Sequence, residues 1–154
     1  MTGLPDGTAA PDFTLRDQHG QQVALSDLRG KRKVLLVFYP SAFSSVCTGE
    51  LAELQRAWPT FENHEVEILG ISCDPMFSLR AFADSHSIHF PLLSDFWPHG
   101  EVASAYGVFN DATGAALRST FVIDSAGVVA WSVHNAMPDA RSLNEYAEVL
   151  DRLS

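Results

Sequence analysis

A cysteine stands where a predicted buried strand gives way to a predicted helix. Residues 40–47 read PSAFSSVC, so Pro40, Ser44 and Cys47 share one short segment. The apolar run KVLLVFY precedes this segment, and TGELAEL, which looks like the start of a helix, follows it. Free backbone N–H groups and the dipole at a helix N-terminus favour an anion. The segment is therefore a candidate site for a nucleophilic sulfur.

The reactivity of such a thiol depends on how much of it is ionised. A free cysteine has a pKa of ~8.5, so only a few per cent is thiolate at neutral pH. A helix N-terminus and a nearby cation together lower a thiol pKa to roughly 4–7. The alternative is a small, buried, apolar cysteine, and position alone favours neither interpretation.

The elements before this segment predict a hairpin and a buried strand. The stretch DFTLRDQHGQQVALSDLRG indicates two short strands around Gly20, followed by a brief turn of helix capped by Ser26. The continuous apolar run at 33–39 is typical of a strand that is covered on both faces. Pro40 should end that strand, because proline has no N–H to donate to the ladder.

The elements after the segment alternate between helix and strand. Apolar spacing predicts a helix over 46–61 that Pro59 should kink or end early, and a second strand at 65–72. The next predicted helix has Leu79, Phe82, Ala83 and His86 on one face, and it is followed by a short strand in HFPLLSD and a short helix in GEVASAYGV. A hairpin at 119–133 then turns around Ser125–Gly127. The last predicted helix begins with a Ser142–Glu145 capping box. This order predicts an α/β sandwich with a mixed central sheet flanked by helices.

Length and composition narrow the class of protein. The 154 residues suit one domain over 1–154, and 46% hydrophobic with 19% charged residues is ordinary for a soluble globular protein. The net charge of −9 argues against nucleic acid or an anionic membrane as a partner. The N-terminus lacks a basic segment followed by an apolar one, and no apolar run approaches the ~20 residues of a membrane span. We therefore expect a cytoplasmic protein with reduced thiols, in which two cysteines are catalytic, redox-active or packing residues rather than a structural disulfide.

The pattern around Cys47 resembles the active-site signature of peroxiredoxins, which reads Pro, three residues, Thr or Ser, two residues, Cys. Pro40, Ser44 and Cys47 match it, and LRSTFVID places Arg118 before a late strand, as in that family. The segments FPLLSD and YGVF are also similar to the family. The longer FPLLSDFWPHG, with Glu50 three residues after Cys47, is most similar to the alkyl hydroperoxide reductase E (AhpE) type. The resemblance runs from APDF to at least TFVIDSAG, and it implies a thioredoxin-like fold with an added N-terminal hairpin.

The resemblance implies a thiol peroxidase, without cofactor or metal, that reduces hydrogen peroxide and organic hydroperoxides through a sulfenic acid at Cys47. Arg118 would favour the thiolate and hold developing negative charge. The Ser44 hydroxyl would hydrogen-bond the peroxide, and Pro40 would wall the pocket against water. The family often has threonine at the place of Ser44, and the missing methyl group loosens the rotamer of the hydroxyl. We expect the function to be retained, and the sequence does not give the effect on its rate. Glu50 is a candidate partner for Arg118, with an ordinary exposed helix glutamate as the alternative.

The positions of the cysteines favour a one-cysteine cycle. Ala52 occupies one place where two-cysteine members of the family carry a resolving thiol, and the C-terminal region has no cysteine. Cys73, at the end of the second strand, is either a packing residue or a resolving thiol. We expect an outside thiol to reduce the sulfenic acid: mycoredoxin with mycothiol, thioredoxin or a glutaredoxin-like protein. The rivals are a redox sensor or holdase that signals through Cys47, and a thioredoxin-type disulfide oxidoreductase, which would carry a thiol where Glu50 stands.

A few other residues invite a functional interpretation. His86 and His89 lack further ligand partners in the sequence, so surface or packing roles outweigh a metal site. The aromatic segment with Phe96, Trp97 and His99 would flank the pocket, form a subunit contact or simply pack. Peroxiredoxins of this kind commonly form dimers, so we expect a homodimer built partly from the loops near Phe43 and Trp97.

Overall fold

The computed structural model describes residues 3–134 together with 148, 149 and 152. The predicted capping box at Ser142 and Glu145 lies outside the described residues. Of the predicted last helix, Glu148, Val149 and Arg152 are described, and they are helical.

Most of the described strands join a single mixed sheet. In chain order the strands are β1 (Thr14–Arg16), β2 (Gln22–Ala24), β3 (Lys33–Phe38), β4 (Val66–Ser72), β5 (Leu92–Ser94), β6 (Phe109–Asn110), β7 (Ala115–Ala116), β8 (Ser119–Ile123) and β9 (Val129–His134). Seven of them form a sheet in the order β2-β1-β5-β4-β3-β8-β9, and β6 pairs with β7 as a separate hairpin. Strands β3, β4 and β5 are parallel, and β1, β2, β8 and β9 pair antiparallel with their neighbours.

The helices cover the two faces of this sheet unequally. Helices α1 (Ser45–Arg56) and α2 (Trp58–Asn63) connect β3 to β4, and α3 (Met76–His86) connects β4 to β5. Both connections step across the sheet in the same direction, so right-handed crossovers place all three helices on one face. Helix α4 (Glu101–Ala105) packs on the other face.

Alternation along β3 divides the core into two layers. Leu35 and Val37 pack with residues of α1, α2 and α3, whereas Leu36 and Phe38 pack with α4 and the N-terminal segment. Each of these four side chains is fully buried. The apolar run at 33–39 is thus a strand covered on both faces, and the α/β sandwich with a mixed sheet and an N-terminal hairpin is confirmed.

Two details differ from the sequence-based expectations, and a third agrees with them. Ser26 lies within a short 3₁₀ helix (Leu25–Asp27) rather than capping it, and its backbone N–H donates to Asp12 Oδ1 at 2.9 Å. The helix over 46–61 is interrupted at Ala57, close to Pro59 as predicted, and resumes as α2, with Pro59 in the first turn, where a missing N–H costs no helical bond. The β6–β7 hairpin was not predicted, because two-residue strands are too short to show periodicity. Among the described residues, no helix has the length and apolarity needed to span a membrane.

Candidate active site

The candidate site lies at the carboxyl ends of the parallel strands β3 and β4, in the middle of the sheet. Because β8 runs antiparallel to β3, its beginning lies beside the end of β3. Phe38 pairs with Ser119, so the next residues in register are Tyr39 and Arg118. Topology therefore brings Arg118 to the segment that carries Cys47, although the two residues are far apart in the sequence.

Cys47 lies in the first turn of α1. Ser44 is the N-cap residue, with extended backbone angles (φ −70°, ψ 145°), and its carbonyl accepts the N–H of Thr48 at 2.9 Å. The N–H groups of the first turn, including that of Cys47, precede the first intrahelical bond and are free to bind an anion. The Cys47 side chain is fully buried. The structure thus places the sulfur at a helix N-terminus, as the sequence predicted.

The hydroxyl of Ser44 is not used to cap the helix. It makes no capping hydrogen bond, and its Oγ is buried without a hydrogen-bond partner among the described residues. A serine at this position usually accepts the N–H of the second or third helical residue. A buried hydroxyl without a partner is costly unless a ligand satisfies it. Ser44 can therefore hydrogen-bond a small oxygen ligand beside Cys47.

Arg118 and Glu50 form a buried ion pair. Arg118 Nη2 lies 2.9 Å from Glu50 Oε1, and Arg118 Nε donates to the same oxygen at 3.1 Å. The two residues are 2% and 7% exposed, so Glu50 is not an ordinary surface glutamate. Glu50 follows Cys47 by three residues, which places both on one side of α1. The ion pair therefore lies on the side of α1 that carries the sulfur, and the carboxylate gives the buried cation a counter-charge.

Tyr39 is a site residue that sequence reasoning missed. Its side chain is fully buried on the Cys47 side of the sheet, and a Cβ on Gly70 would lie 3.3 Å from its ring. Burial raises the pKa of Tyr39; Ser72 opposes the shift, and the charges of Asp74 and Cys47 add to it. The phenol is therefore neutral at physiological pH. Tyr39 precedes Pro40, which is half-buried just after β3. The signal available in the sequence was the polar hydroxyl of a tyrosine at the end of the apolar run 33–39.

Asp74 is a second residue that the sequence did not indicate. Its Oδ2 accepts the backbone N–H of Ala42 at 2.8 Å and the hydroxyl of Ser72 at 2.7 Å. Ala42 lies between Pro40 and Ser44, so this carboxylate ties the segment before Cys47 to the end of β4. The residues that meet here are distant in sequence, and no local spacing announces the contact.

Phe43 is held in an uncommon backbone conformation. Its φ is +69°, a region that costs a non-glycine residue about 1–3 kcal/mol. The ring is 54% exposed and stands edge-on to Phe82 at a centroid separation of 5.2 Å. Strain next to Ser44 is consistent with a segment that is shaped by its contacts rather than by local preference.

Cys73 lies near the same edge of the sheet but on the opposite face. Ser72, one residue earlier, faces Tyr39, and Cys73 is next to the backbone of Ala116, which belongs to the α4 side of the core. Burial raises the pKa of the Cys73 thiol to about 11, and the carboxylates of Asp95 and Asp74 add to the shift. Both cysteines are free thiols. Alternation continued one residue beyond β4 therefore places Cys73 on the face of the sheet opposite to Cys47.

The histidines and aromatic residues singled out in the sequence lie in different surroundings. His86 packs against Phe82 with ring centroids 4.9 Å apart, and His99 contacts the carbonyl oxygens of Phe96 and Gly114 at 3.1 and 2.6 Å. Trp97 is 81% exposed and, with Phe96, lines a groove against β1 and the start of α3. In the part of the chain that the structure describes, no group of three or more acidic, histidine or cysteine side chains could hold a metal.

Comparison with known proteins agrees with this geometry. A model of the AhpC/TSA family matches residues 7–132. The chain is 45% identical over 148 residues to alkyl hydroperoxide reductase E of Mycobacterium tuberculosis, covering 96% of this chain and 97% of that protein. The crystal structure of Enterococcus faecalis AhpC superposes with a TM-score of 0.88 at 26% identity, covering 99% of this chain and 92% of that one.

A second solved structure supports the same assignment. Peroxidoxin BcpB from Mycobacterium tuberculosis superposes with a TM-score of 0.84 at 31% identity, covering 99% of this chain and 97% of that one. The thioredoxin-like fold and the family resemblance predicted from the sequence are confirmed. The chain therefore belongs to the AhpC/TSA family and is an AhpE-type peroxiredoxin, a thiol-dependent peroxidase.

Proposed function

We propose that residues 1–154 act as one peroxidase domain in which Cys47 is the nucleophile. The Cys47 thiolate attacks one oxygen of a hydroperoxide, so that an S–O bond forms as the O–O bond breaks. The sulfur is oxidised to a sulfenic acid, and the other oxygen takes a proton and leaves as water or an alcohol. The observation that carries this proposal is the buried sulfur of Cys47 in the first turn of α1, beside the unpartnered hydroxyl of Ser44.

The neighbouring groups have separate roles in that step. Arg118 stabilises the thiolate and the negative charge that develops on the leaving oxygen. The Ser44 hydroxyl binds a peroxide oxygen, and the N–H groups at the start of α1 favour charge on the sulfur. Pro40 offers no competing N–H and walls the pocket against water. Glu50 orients Arg118 through their buried ion pair, so it is a positioning residue.

The substrates proposed are hydrogen peroxide and organic hydroperoxides. A 45% identical relative is named an alkyl hydroperoxide reductase, which supports the organic class. The polar groups of the site recognise the O–O unit and not a particular substituent. The rate of the first turnover, measured with hydrogen peroxide and with a bulky alkyl hydroperoxide, would show which of the two is the better substrate.

A single-cysteine cycle requires an outside reductant. A first thiol displaces water from the sulfenic acid and forms a mixed disulfide, and a second thiol then releases Cys47. Mycoredoxin with mycothiol, thioredoxin and a glutaredoxin-like protein are the candidates, and relatedness to a mycobacterial AhpE favours the first. The cytoplasm, where such thiols are abundant, is the proposed location.

One assay tests the proposed cycle. Purified chain is mixed with excess peroxide and each reductant in turn, and peroxide loss is followed. We expect many equivalents of peroxide to be consumed with at least one reductant. Consumption of a single equivalent with every reductant would instead indicate a sensor that is oxidised once.

A homodimer is the proposed assembly. Phe43 and Trp97 are 54% and 81% exposed, which leaves two large apolar side chains in contact with water. Sedimentation across micromolar concentrations, in both redox states, should give the mass of two chains. A monomer mass throughout that range would contradict this assembly.

A further inference from the structure

Recycling of Cys47 raises a problem of access. The side chain is fully buried, yet reduction of its sulfenic acid requires the sulfur of an outside thiol to approach it in line. Reduction therefore requires a movement that exposes the sulfur. The segment from Pro40 to Ser44 lies outside any helix or strand and leads directly into the helix turn that carries Cys47, so it is the part of the chain that we take to move. When the segment is fixed in place, the site stays arranged for attack on peroxide. When the segment is free to move, the reducing thiol can reach the sulfur.

We propose that Asp74 is the positioning residue that sets this balance, an inference that rests on the proposed peroxidase function. The Asp74 bridge consists of Asp74 Oδ2, the N–H of Ala42 that donates to it at 2.8 Å, and the hydroxyl of Ser72 that donates to it at 2.7 Å. Ala42 lies in the middle of the movable segment. Asp74 thus connects the part that must move with the end of a sheet strand.

The strand end of the bridge is rigid. Ser72 is fully buried and its carbonyl accepts the N–H of Asp95 at 2.8 Å. The backbone carbonyl of Asp74 accepts the hydroxyl of Ser94 at 2.7 Å. The carboxylate is therefore anchored to β4 and β5. When the hydrogen bonds of the Asp74 bridge break, the segment around Ala42 becomes free to move, whereas the sheet does not.

The movable end is under strain. Phe43, next to Ala42, has a φ of +69°, which favours departure from the closed conformation once the bridge is lost. The edge-on contact between Phe43 and Phe82 opposes this departure from the other side. Asp74 therefore holds Ser44 and Cys47 in the arrangement that binds peroxide.

Substitutions can separate the hydrogen bonds from the charge. Because one oxygen accepts both donors, the amide oxygen of Asp74→Asn can keep both bonds, whereas Asp74→Ala loses both. Asp84→Ala, at an exposed position of α3, is the matched control. All variants carry Cys73→Ser so that Cys47 is the single thiol. If Asp74→Ala fails to fold, Asp74→Ser replaces it, because its short hydroxyl cannot span both donors.

Two rates are measured for each variant in single turnovers: oxidation by hydrogen peroxide, and reaction of the preformed sulfenic acid with glutathione. We expect Asp74→Ala to slow oxidation about tenfold, because the segment loses its hydrogen bond from the Ala42 N–H to Asp74, and to speed the glutathione reaction. Asp74→Asn should restore both rates to near those of the Asp84→Ala control. Unchanged rates, a slowing of both steps, or Asp74→Asn behaving as Asp74→Ala would overturn the proposal.

A third measurement needs no peroxide. Reduced protein is treated with N-ethylmaleimide, and we expect Asp74→Ala, but not Asp74→Asn, to be modified faster at Cys47 than the control. Equal modification in all variants would overturn the role of the bridge. If the parent protein consumed no peroxide, the proposed function would fail, while the maleimide rates would still decide whether Asp74 holds the segment.

Discussion

Cys47 and Cys73 are both buried near the same edge of one sheet, yet their surroundings are opposite. Cys47 is in the first turn of a helix, on the face where Arg118 and Glu50 form their ion pair. Cys73 lies on the other face, where burial and the carboxylates of Asp95 and Asp74 raise the pKa of its thiol to about 11. Burial does not distinguish the two. The charges and dipoles around each sulfur do, and they favour Cys47 rather than Cys73 as the nucleophile.

Removing the sulfur of Cys47 should have the largest effect. Cys47→Ser should abolish peroxide consumption without unfolding the protein, because a serine hydroxyl is not nucleophilic at neutral pH without a base. Peroxide loss and circular dichroism measure the two properties. Turnover near that of the parent protein would show that the nucleophile lies elsewhere and would end the contrast between the cysteines.

Removing the cation tests whether charge makes Cys47 reactive. Arg118→Ala should slow the peroxide step by ~30- to 1000-fold, the range for losing a charged contact in a water-excluded site. Arg80→Ala, at an exposed position of α3, is the control for loss of an arginine. Stopped-flow oxidation gives the rates. Equal rates for the two variants would show that Arg118 is structural.

Removing the counter-charge should have a smaller catalytic effect. Glu50→Ala should lower the free energy of unfolding by about 3–5 kcal/mol, because Arg118 then loses a buried partner. Its peroxide step should slow less than that of Arg118→Ala, since Glu50 acts through Arg118. Glu50→Gln keeps an acceptor oxygen and should recover part of both losses. Urea unfolding and the oxidation rate measure these effects, and a peroxide step slower than that of Arg118→Ala would give Glu50 a direct role.

Changing Cys73 should have the smallest effect. Cys73→Ser should alter neither turnover nor over-oxidation of Cys47, because the sheet lies between the two thiols. After one equivalent of peroxide, a trapping reagent should capture a sulfenic acid at Cys47. A major product that has lost two hydrogens, with both thiols blocked, would mean that Cys73 resolves Cys47.

In a Cys47→Ser background, the rate of alkylation of Cys73 should be slow at neutral pH and rise as the pH approaches about 11, the pKa of its thiol.

Local patterns were sufficient for much of the fold. The apolar run at 33–39, the helical spacing after Cys47 and the hairpin turn at Ser125–Gly127 each report the environment of contiguous residues, and the structure contains all three elements. The predicted cap at Ser26 was wrong, because Asp12, fourteen residues earlier, takes the N–H that starts the turn. A pattern of neighbouring residues could not show that Asp12 accepts this N–H.

The sequence by itself determined the class of fold, the family and the position of Cys47 at a strand-to-helix junction. Periodicity and motif spacing are properties of short stretches, and they survive without knowledge of what packs against them. Only the tertiary structure decided that Glu50 meets Arg118, that Asp74 holds Ala42, and that Cys73 faces away from Cys47. These outcomes depend on strand order, register and the alternation of side chains across the sheet. They join residues tens of positions apart, and no local pattern encodes them.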